Sequence, residues 1–310
     1  MKTVRIHEYG NADVLHIEEI PVPQIGADEL LIKVHAAAVN PMDWKVREGY
    51  FKDMLMHSFP FTLGQDFSGT VEKVGSSVKG FKVGDDVYGR PSGDGDGSYA
   101  EFIEVKASNV ALMPKTITYD EAASIPVAGT TAWETLINKA KIQKGQRVLI
   151  LGASGGVGSM AVQIGKSRGC FVIGTTSGTN YDFVKNLGCD EVIDYTSQDF
   201  SEKLRDIDVV LDCVGGENQE KAFKVLKRGG IMVSIAGRPN QEIANSFGVR
   251  SEYVSAGPNA HILNELRSLI EMGQIHPVID KVFGLEEVKE AQNYSQSGKA
   301  RGKIVLEVLK

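Results

Sequence analysis

The stretch VLILGASGGVGSMAVQIG, residues 148–165, decides the fold of this chain. An apolar run ends at Gly152, a glycine-rich turn follows at residues 153–158, and an apolar helical segment begins there. Glycine suits such a turn because the chain must adopt positive φ, approach a pyrophosphate closely and pack the helix tightly on the strand. The helix N-terminus offers unpaired N–H groups and a positive dipole end to phosphate. The candidate contacts of this predicted dinucleotide site are Ser154, Gly155, Gly156 and Val157.

Strands and helices alternate from residue 147 onward, which is typical of a parallel sheet. The predicted strands are 147–151, 171–175, 191–194, 208–212 and 230–234, and the predicted helices are 158–168, 181–187 and 217–226. This spacing implies right-handed βαβ units in a doubly wound sheet, with residues 251–254 as a strand at its end. Because strand, glycine turn, helix and second strand occur in that order, a dinucleotide is favoured over the alternative, a purely structural turn.

The sequence before about residue 120 has the pattern of a β-rich domain. Gly and Asp clusters separate strand-like runs at 30–40, 69–74, 86–88 and 98–105, as expected of short antiparallel strands. Further runs at 278–283 and 304–308 are interpreted as strands that return to this first domain, and residues 260–272 as an amphipathic helix. We therefore expect an α/β protein with a β-rich catalytic domain at 1–123 and 275–310, and a nucleotide-binding domain at 124–274.

Composition excludes several classes of function. The chain has 310 residues, a length that suits two domains, and its formal net charge is −6. An acidic chain without a block of Lys or Arg is not expected to bind nucleic acid or an anionic membrane. The N-terminus carries no recognisable signal peptide and the three cysteines lie far apart. These features predict a reducing, cytoplasmic location without disulfides.

The end of the second strand of the parallel sheet predicts the type of dinucleotide. Enzymes that use NAD place an Asp or Glu there to bind the ribose 2′-OH. Here the strand ends TTSGTNY at residues 175–181, and no acid follows until Asp182. A carboxylate would repel a 2′-phosphate, whereas small hydroxyls and the amide of Asn180 can bond to one. NADPH is therefore the predicted cofactor, although no Arg or Lys occurs within residues 177–181.

Six stretches, in order along the chain, resemble one known family. They are AAVNPMDWKVREG (37–49), LGQDFSGTVEKVG (63–75), GSYAEFIEV (97–105), AASIPVAGTTAWETL (122–136), GASGGVGSMAVQIGK (152–166) and GKIVLEV (302–308). Through them the chain resembles the zinc-independent quinone oxidoreductase and enone (alkenal) reductase branch of the medium-chain dehydrogenase/reductase superfamily. The resemblance implies a barrel-like, GroES-like catalytic domain together with a Rossmann domain.

Zinc is not expected. Zinc alcohol dehydrogenases of this superfamily bind their catalytic metal with a Cys, a His and another Cys or Asp. At the matching positions this chain has Asn40, Gln65 and Val127, and a valine side chain has no ligand atom. The four-cysteine lobe of those enzymes is replaced by the short loop 89–98. We therefore predict an enzyme without a metal.

Without zinc, alcohol oxidation loses its Lewis acid, but reduction of a conjugated C=C bond stays feasible. Negative charge then develops on the carbonyl oxygen, where hydrogen-bond donors stabilise it. Asn40 and Lys45 are the candidate donors, and Lys45 matches a lysine of the alkenal and enone reductases. The alternative is a solvated surface lysine. The candidate substrate residues are Asp43, as an orienting or structural carboxylate, and Trp44, Tyr50 and Phe51, as an apolar wall or as core.

The remaining cofactor candidates follow from the resemblance and from the sheet. The resemblance places Thr131 near the diphosphate or the nicotinamide, and Ser177 and Tyr195 near the 2′-phosphate. Val214, after the fourth strand, and Ile235 and Ala236, after the fifth, lie at the carboxyl edge of the sheet, where ligands bind.

Three functions stay open at this point. The first is an NADPH-dependent reductase of the C=C bond of α,β-unsaturated carbonyl compounds. The second is an NADPH:quinone reductase, and the third is a non-catalytic, crystallin-like protein that binds NADPH. Fold alone cannot choose among them. A homodimer is also expected, because residues 251–254 form a sheet edge that pairs with its two-fold mate in relatives.

Overall fold

The computed structural model of the protein describes residues 1–54, 58–93 and 95–309. In chain order the strands are β1 (Lys2–Ile6), β2 (His16–Glu19), β3 (Glu29–Val39), β4 (Phe61–Thr62), β5 (Asp66–Val74), β6 (Asp86–Gly89), β7 (Phe102–Lys106), β8 (Val110–Leu112), β9 (Arg147–Leu151), β10 (Phe171–Thr176), β11 (Glu191–Asp194), β12 (Ile207–Asp212), β13 (Leu226–Ser234), β14 (Arg250–Tyr253), β15 (Ile279–Gly284) and β16 (Lys303–Glu307). The helices are α1 (Pro41–Arg47), α2 (Tyr119–Ala123), α3 (Pro126–Trp133), α4 (Gly156–Ser167), α5 (Tyr181–Asn186), α6 (Phe200–Lys203), α7 (Asn218–Val225), α8 (Gln241–Ser246), α9 (Ala260–Glu271) and α10 (Val288–Gln296). A π-helical turn, Glu134–Lys139, follows α3, and short 3₁₀ turns lie at Ala12–Val14, Ala107–Asn109, Gly178–Asn180 and Leu285–Glu287.

The chain divides into two compact units. Unit 1 contains Met1–Val127, Gly257–Met272 and Pro277–Lys310, and unit 2 contains Ala128–Ala256 and Gly273–His276. The sequence division at 123/124 and 274/275 differs from this one mainly at α9, which packs within unit 1. The hydroxyl of Tyr88 in β6 donates to the carbonyl of Leu263 in α9, and Leu263 and Leu266 are buried. An amphipathic pattern predicts that a helix buries one face, but it does not say against which domain.

Unit 2 is built on the predicted parallel sheet. Its six strands lie in the order β11-β10-β9-β12-β13-β14, and all five pairings are parallel. The order reverses between β9 and β12, which is the switch point where ligands bind in such sheets. β13 begins at Leu226, earlier than the predicted residue 230, because Leu226 pairs with Ile207 across a register shift.

Strand β9 shows why the sheet forms from this sequence. Four of its five residues, in the run RVLIL, are buried, as expected of a central parallel strand covered on both faces. Its side chains Leu149 and Leu151 join a core to which α7 contributes Ala222 and Phe223. Helix α4 follows at once, so the apolar stretch 148–165 is divided between a strand, a turn and a helix. Within the described residues no helix is long and apolar enough to cross a membrane.

Unit 1 is β-rich, as predicted. Its larger sheet has the order β15-β16-β3-β5-β6-β8, with β7 also paired to β3, and a smaller sheet has the order β2-β1-β4. Strand β3 is central because one edge pairs with β5 along most of its length, while β7 and β16 pair with successive parts of the strand. All pairings in this unit are antiparallel except that of β15 with β16. The predicted strands at 278–283 and 304–308 therefore do return to the first unit.

Gly158 offers a test of how closely α4 packs on β9. A Cβ atom at Gly158 would lie 2.1 Å from the carbonyl oxygen of Gly152, a backbone atom that cannot move aside cheaply. We expect Gly158→Ala to lower the free energy of unfolding by about 1–3 kcal/mol or more, the usual cost of overpacking. Gly237→Ala is the control, because a Cβ there meets nothing within 4 Å. Equal denaturation midpoints for the two variants would contradict the packing described here.

Candidate functional site

The glycine-rich turn of unit 2 brings the start of α4 against the end of β9. Gly152 has φ +79°, a left-handed conformation that glycine adopts without strain. The N–H of Ala153 donates to the carbonyl of Thr175 at 2.9 Å, and the N–H of Gly152 donates to Thr175 Oγ1 at 3.2 Å. The turn is therefore tied to both β9 and β10.

The N-terminus of α4 is open to an anion. Gly155 is the N-cap residue and has no side chain to accept the first N–H groups, and the first turn of this twelve-residue helix contains no acid. These N–H groups have no acceptor within the helix, so they are available to a pyrophosphate. The predicted contacts in this turn are Ser154, Gly155, Gly156 and Val157. Thr131, another cofactor candidate, lies in α3 and is only 8% exposed.

The carboxyl ends of β12 and β13 lie beside the glycine turn. A Cβ on Gly152 would lie 3.2 Å from Val214 Cγ2, and a Cβ on Gly215 would lie 3.2 Å from that of Ala236. Buried Asp212, at which no sequence motif points, holds this edge together. Its Oδ1 accepts from the N–H groups of Val214 and Gly215, and its carbonyl accepts from the N–H of Ile235. The structure thus brings Val214, Ile235 and Ala236 together at one edge of the sheet.

The candidates for the 2′-phosphate meet at the ends of β10 and β11. Asn180 Nδ2 donates to Ser177 Oγ at 3.4 Å, and the N–H of Tyr195 donates to the carbonyl of Thr176 at 3.0 Å. The Tyr195 side chain is 60% exposed. In the described part of the chain, Thr176 Oγ1 is buried without a hydrogen-bond partner. An open helix N-terminus, a close backbone turn and exposed hydroxyls together fit a nicotinamide dinucleotide.

Asp66 is the centre of a buried polar cluster in unit 1. Its Oδ2 accepts from Lys303 Nζ and from Asn40 Nδ2, both at 2.9 Å. Its Oδ1 accepts from the N–H of Val127 at 2.7 Å, at the start of α3. Lys303 Nζ also donates to Asn40 Oδ1 at 2.5 Å. Asp66, at the start of β5, therefore bonds to the starts of α3 and β16. It also bonds to Asn40, which lies between β3 and α1.

The side-chain amide of Asn40 is fully hydrogen-bonded within this cluster. Its oxygen faces the ammonium of Lys303, and its nitrogen faces the carboxylate of Asp66 and, at 3.4 Å, the carbonyl of Ala38. The orientation is unambiguous because a flipped amide would place its NH₂ group against an ammonium. Both amide hydrogens are thus directed to acceptors inside the protein.

Asp43 binds the first turn of α1 to the rest of unit 1. Its Oδ2 accepts from the N–H of Asn40 and from the hydroxyl of Tyr99, both at 2.7 Å. The pKa of Asp43 is raised to about 6, chiefly by burial and also by the charge of Asp66, although the hydrogen bonds from Tyr99 and Asn40 oppose the rise. The contacts of Asp43 are those of an orienting carboxylate.

Lys45 lies on α1 in a different setting. Its Nζ is 5.5 Å from the centroid of the Trp44 ring, and among the described residues it has no hydrogen-bond or ion-pair partner. Trp44 and Tyr50 meet edge to face at 6.0 Å, and Tyr50 is 68% exposed. Phe51 instead packs against the core of unit 1. The structure therefore groups Lys45 and Tyr50 around the Trp44 ring, whereas Phe51 packs on the core.

Helix α1 is held rigidly by Arg47, whose side chain is fully buried. Its Nη1 donates to Gln292 Oε1 of α10 at 2.7 Å, and its Nε donates to the carbonyl of Gly10 at 3.1 Å. Lys45 precedes Arg47 by two residues. The ammonium of Lys45 is thus carried by a helix whose two ends are both fixed, by Asp43 and by Arg47.

The three positions that match zinc ligands have other partners. Asn40 and the N–H of Val127 are bound to the Asp66 cluster, and Gln65 Oε1 accepts from Arg90 Nη2 at 2.5 Å. In the ranges that the structure covers, no group of three or more His, Cys, Asp or Glu residues could hold a metal. The chemistry of these side chains does not suit Zn²⁺, which prefers thiolate, imidazole or carboxylate ligands.

Comparisons with known proteins agree with this geometry. Residues 26–115 match the alcohol dehydrogenase GroES-like domain family, and residues 187–306 match the zinc-binding dehydrogenase family. The chain is 40% identical to a 2-methylene-furan-3-one reductase of Solanum lycopersicum, across 99% of this chain and 79% of the relative. It is 38% identical to a chloroplastic NADPH-dependent alkenal/one oxidoreductase of Arabidopsis thaliana, with the same two coverages. The solved structure of a quinone oxidoreductase from Coxiella burnetii is 33% identical, covers 100% of this chain and 99% of its own, and has a TM-score of 0.92.

The buried pair of Asp66 and Lys303 predicts a large effect on stability. Lys303→Met keeps the aliphatic stem but leaves the Asp66 carboxylate buried without its cation. We expect the free energy of unfolding to fall by about 3–5 kcal/mol, the usual cost of breaking a buried pair. Adding Asp66→Asn should restore part of that loss, because the unpaired charge is then gone. Lys2→Met, which breaks the exposed pair with Glu286, is the control and should change the midpoint little. Equal losses for the two lysine variants would contradict the role of this cluster.

Asp43 predicts a dependence of stability on pH. Its pKa is about 6 in the folded protein against an ordinary 3.8, so the folded state holds the proton more tightly than the unfolded state. Stability due to this group is therefore present below pH 4 and is lost as the pH rises through 6. The free energy of unfolding of the wild type, relative to Asp43→Asn, should fall by about 2 kcal/mol between pH 4 and pH 7. A constant difference in urea titrations across that range would contradict it.

Proposed function

Because the chain belongs to the medium-chain dehydrogenase/reductase superfamily, in its zinc-independent quinone oxidoreductase and enone reductase branch, we propose that it reduces the C=C bond of α,β-unsaturated carbonyl compounds with NADPH. The two relatives whose names specify a 2-methylene-furan-3-one and alkenals or enones as substrates support this substrate class. The observation that carries the proposal is the ammonium of Lys45, which lies over the Trp44 ring without a partner in the described parts of unit 1.

A bound nicotinamide dinucleotide supplies the hydride that an enone accepts at its β-carbon. The residues that would hold this cofactor are those of the glycine turn, together with Val214, Ile235 and Ala236 at the neighbouring strand ends. The N–H groups at the start of α4 bind the pyrophosphate, since they have no acceptor in the helix. Thr131 remains a proposed contact on the basis of the family alone.

Lys45 is the proposed electrophile. When a hydride reaches the β-carbon, negative charge appears on the carbonyl oxygen, and an ammonium stabilises that charge more in the transition state than in the ground state. Asn40, the other candidate donor, is less suited because its amide hydrogens are directed to Asp66 and Ala38. Asn40 and Asp43 act instead as positioning residues for α1.

The apolar wall of the substrate site is assigned to Trp44 and Tyr50. The Trp44 ring lies next to the Lys45 ammonium and meets the exposed Tyr50 ring edge to face. Flat aromatic faces suit a conjugated, planar substrate. Phe51 packs on the core of unit 1, which favours the alternative that it serves the fold.

NADPH is proposed over NADH from the turn that follows β10. Ser177, Thr179 and Asn180 present hydroxyls and an amide there, and Tyr195 presents a phenol. These hydroxyls and the amide are groups that donate hydrogen bonds to a 2′-phosphate, and no carboxylate of β10 itself takes their place. One relative is named as NADPH-dependent, in agreement with this proposal.

A quinone reductase is the second candidate function. A solved structure with a TM-score of 0.92 is described as a quinone oxidoreductase. Hydride transfer to a quinone also leaves negative charge on an oxygen, so Lys45 could serve either substrate. The third alternative, a protein that binds NADPH without catalysis, predicts binding of the cofactor without turnover of either substrate.

A homodimer and a cytoplasmic location stay predictions. Strand β14 ends the parallel sheet and pairs with β13 on one side only, within the part of unit 2 that is described. Such an edge presents unpaired backbone groups that a second copy could cover. Light scattering at micromolar concentration tests the dimer.

Lys45→Met tests the proposed function. The change keeps most of the stem and removes the charge, so we expect turnover of a short enone to fall about 10²–10³-fold, the usual loss for one oxyanion donor. The affinity for NADPH, from fluorescence titration, should be nearly unchanged. Lys33→Met, at an exposed position on β3, is the control and should keep full activity. The assay follows NADPH oxidation.

Three results would contradict the proposal. A loss of less than about threefold in enone turnover would show that Lys45 is not the electrophile. Faster turnover of a simple quinone than of any enone, measured side by side, would favour the quinone reductase. Activity that is lost on treatment with EDTA or phenanthroline and restored by zinc would overturn the metal-free mechanism.

A further inference from the structure

Asp194 is a carboxylate that the pairing of two strands brings to the cofactor edge of unit 2. It is the last residue of β11 and lies opposite Thr176, the last residue of β10. Along the chain, no acid follows β10 before Asp182. In the sheet, however, the carboxyl end of β11 lies next to that of β10, so this edge does contain an acid.

The Asp194 carboxylate is held by four donors. Its Oδ1 accepts from the N–H of Thr196 at 2.9 Å and from Thr196 Oγ1 at 2.7 Å. Its Oδ2 accepts from Ser197 Oγ at 3.3 Å, and the N–H of Gly178 also donates to the carboxylate. The hydrogen bonds from Thr196 contribute most to lowering the pKa of Asp194, so the group is ionised at neutral pH.

Gly178 shows how close the carboxylate lies to the turn after β10. A Cβ atom on Gly178 would lie 2.8 Å from Asp194 Oδ2, a distance that real Cβ atoms essentially never show. The φ of Gly178 is not in the left-handed region, so space rather than backbone conformation favours glycine here. The negative charge therefore lies directly against the turn Gly178–Asn180, whose neighbours Ser177 and Tyr195 are the proposed contacts of a 2′-phosphate.

We propose that Asp194 is a specificity-determining residue, whose fixed negative charge opposes the 2′-phosphate and so limits the preference of this protein for NADPH over NADH. The proposal rests on the binding of a nicotinamide dinucleotide at the glycine turn. It places the selectivity on the strand beside the one that usually carries the deciding acid.

The effect is one of charge at a distance, not of a direct bond to the ribose. A carboxylate has about four lone-pair sites, and four donors within the chain already face Asp194. A ribose 2′-OH would have to compete with these donors for an acceptor position on this group. NADH, which lacks the phosphate, should therefore be nearly indifferent to the charge, whereas NADPH should respond to it.

The experiment compares dissociation constants of both cofactors for the wild type and Asp194→Asn by fluorescence titration. We expect the variant to bind NADPH about three- to tenfold more tightly, as for one screened charge near a phosphate, and to bind NADH with less than a twofold change. The gain should shrink as salt is raised from about 0.02 M to about 0.5 M, because ions screen the charge. Since the amide of Asn could crowd the N–H of Gly178, Asp194→Ser provides a second neutral variant.

Asp206→Asn is the matched control. Asp206 is exposed, lies just before β12 at the opposite end of the sheet, and has φ +55°, a conformation that Asn accepts readily. The Asp206→Asn substitution removes one negative charge from the same unit. It should leave the dissociation constants of NADPH and NADH unchanged.

Each outcome decides between explanations. An unchanged ratio of the two constants in both neutral variants would overturn the role of Asp194 while leaving the proposed function intact. Weaker NADH binding in the variants would overturn it as well, because it would mean that the carboxylate contacts the ribose or only maintains the turn. Failure of the wild type to bind either cofactor would instead refute the proposed function.

Discussion

The carboxylate of Asp66, buried against the ammonium of Lys303, is the constraint on which unit 1 depends. A buried charge is tolerated only when it is paired and hydrogen-bonded, and Asp66 meets both conditions through Lys303, Asn40 and the N–H of Val127. The pair fixes Asn40, the residue that precedes α1, and Asp43 and Arg47 fix the helix itself. Lys45 owes its setting to this arrangement, although it makes none of these contacts. The polar cluster that stabilises unit 1 thus also holds the helix that carries Lys45, the proposed electrophile.

The fold was largely predictable from the sequence because its strongest signals are local. The glycines of residues 152–158 are required by a turn that brings a helix against its strand, and the parallel sheet follows from regular alternation. The placement of α9 was not predictable, since periodicity indicates a buried face but not the element that covers it. The early start of β13 at Leu226 was missed for a similar reason, because a register shift arises from pairing with β12 and not from the strand's own residues.

The candidate site was predictable only in part. Asn40, Lys45 and the glycine turn stood in stretches whose chemistry could be interpreted residue by residue. Asp66 and Lys303 stood in quoted stretches too, but a charged residue is normally taken as exposed, and these two are 237 residues apart. Asp194 was overlooked because its neighbour at the cofactor edge is adjacent in the sheet and not in the chain. Long-range pairing of charges leaves no periodic trace in a sequence.

Unit 1 is assembled from three separate chain segments, and this affects how the protein folds during synthesis. Residues 128–256 of unit 2 are contiguous, so that part can collect its strands as soon as it leaves the ribosome. Unit 1 must wait, because β16 supplies both a strand beside β3 and the only cation that bonds to Asp66 among the described residues. Until Lys303 emerges, Asp66 in the nascent amino-terminal half lacks the cation to which it bonds in the folded protein. We therefore expect unit 2 to mature first, although its residues are made second.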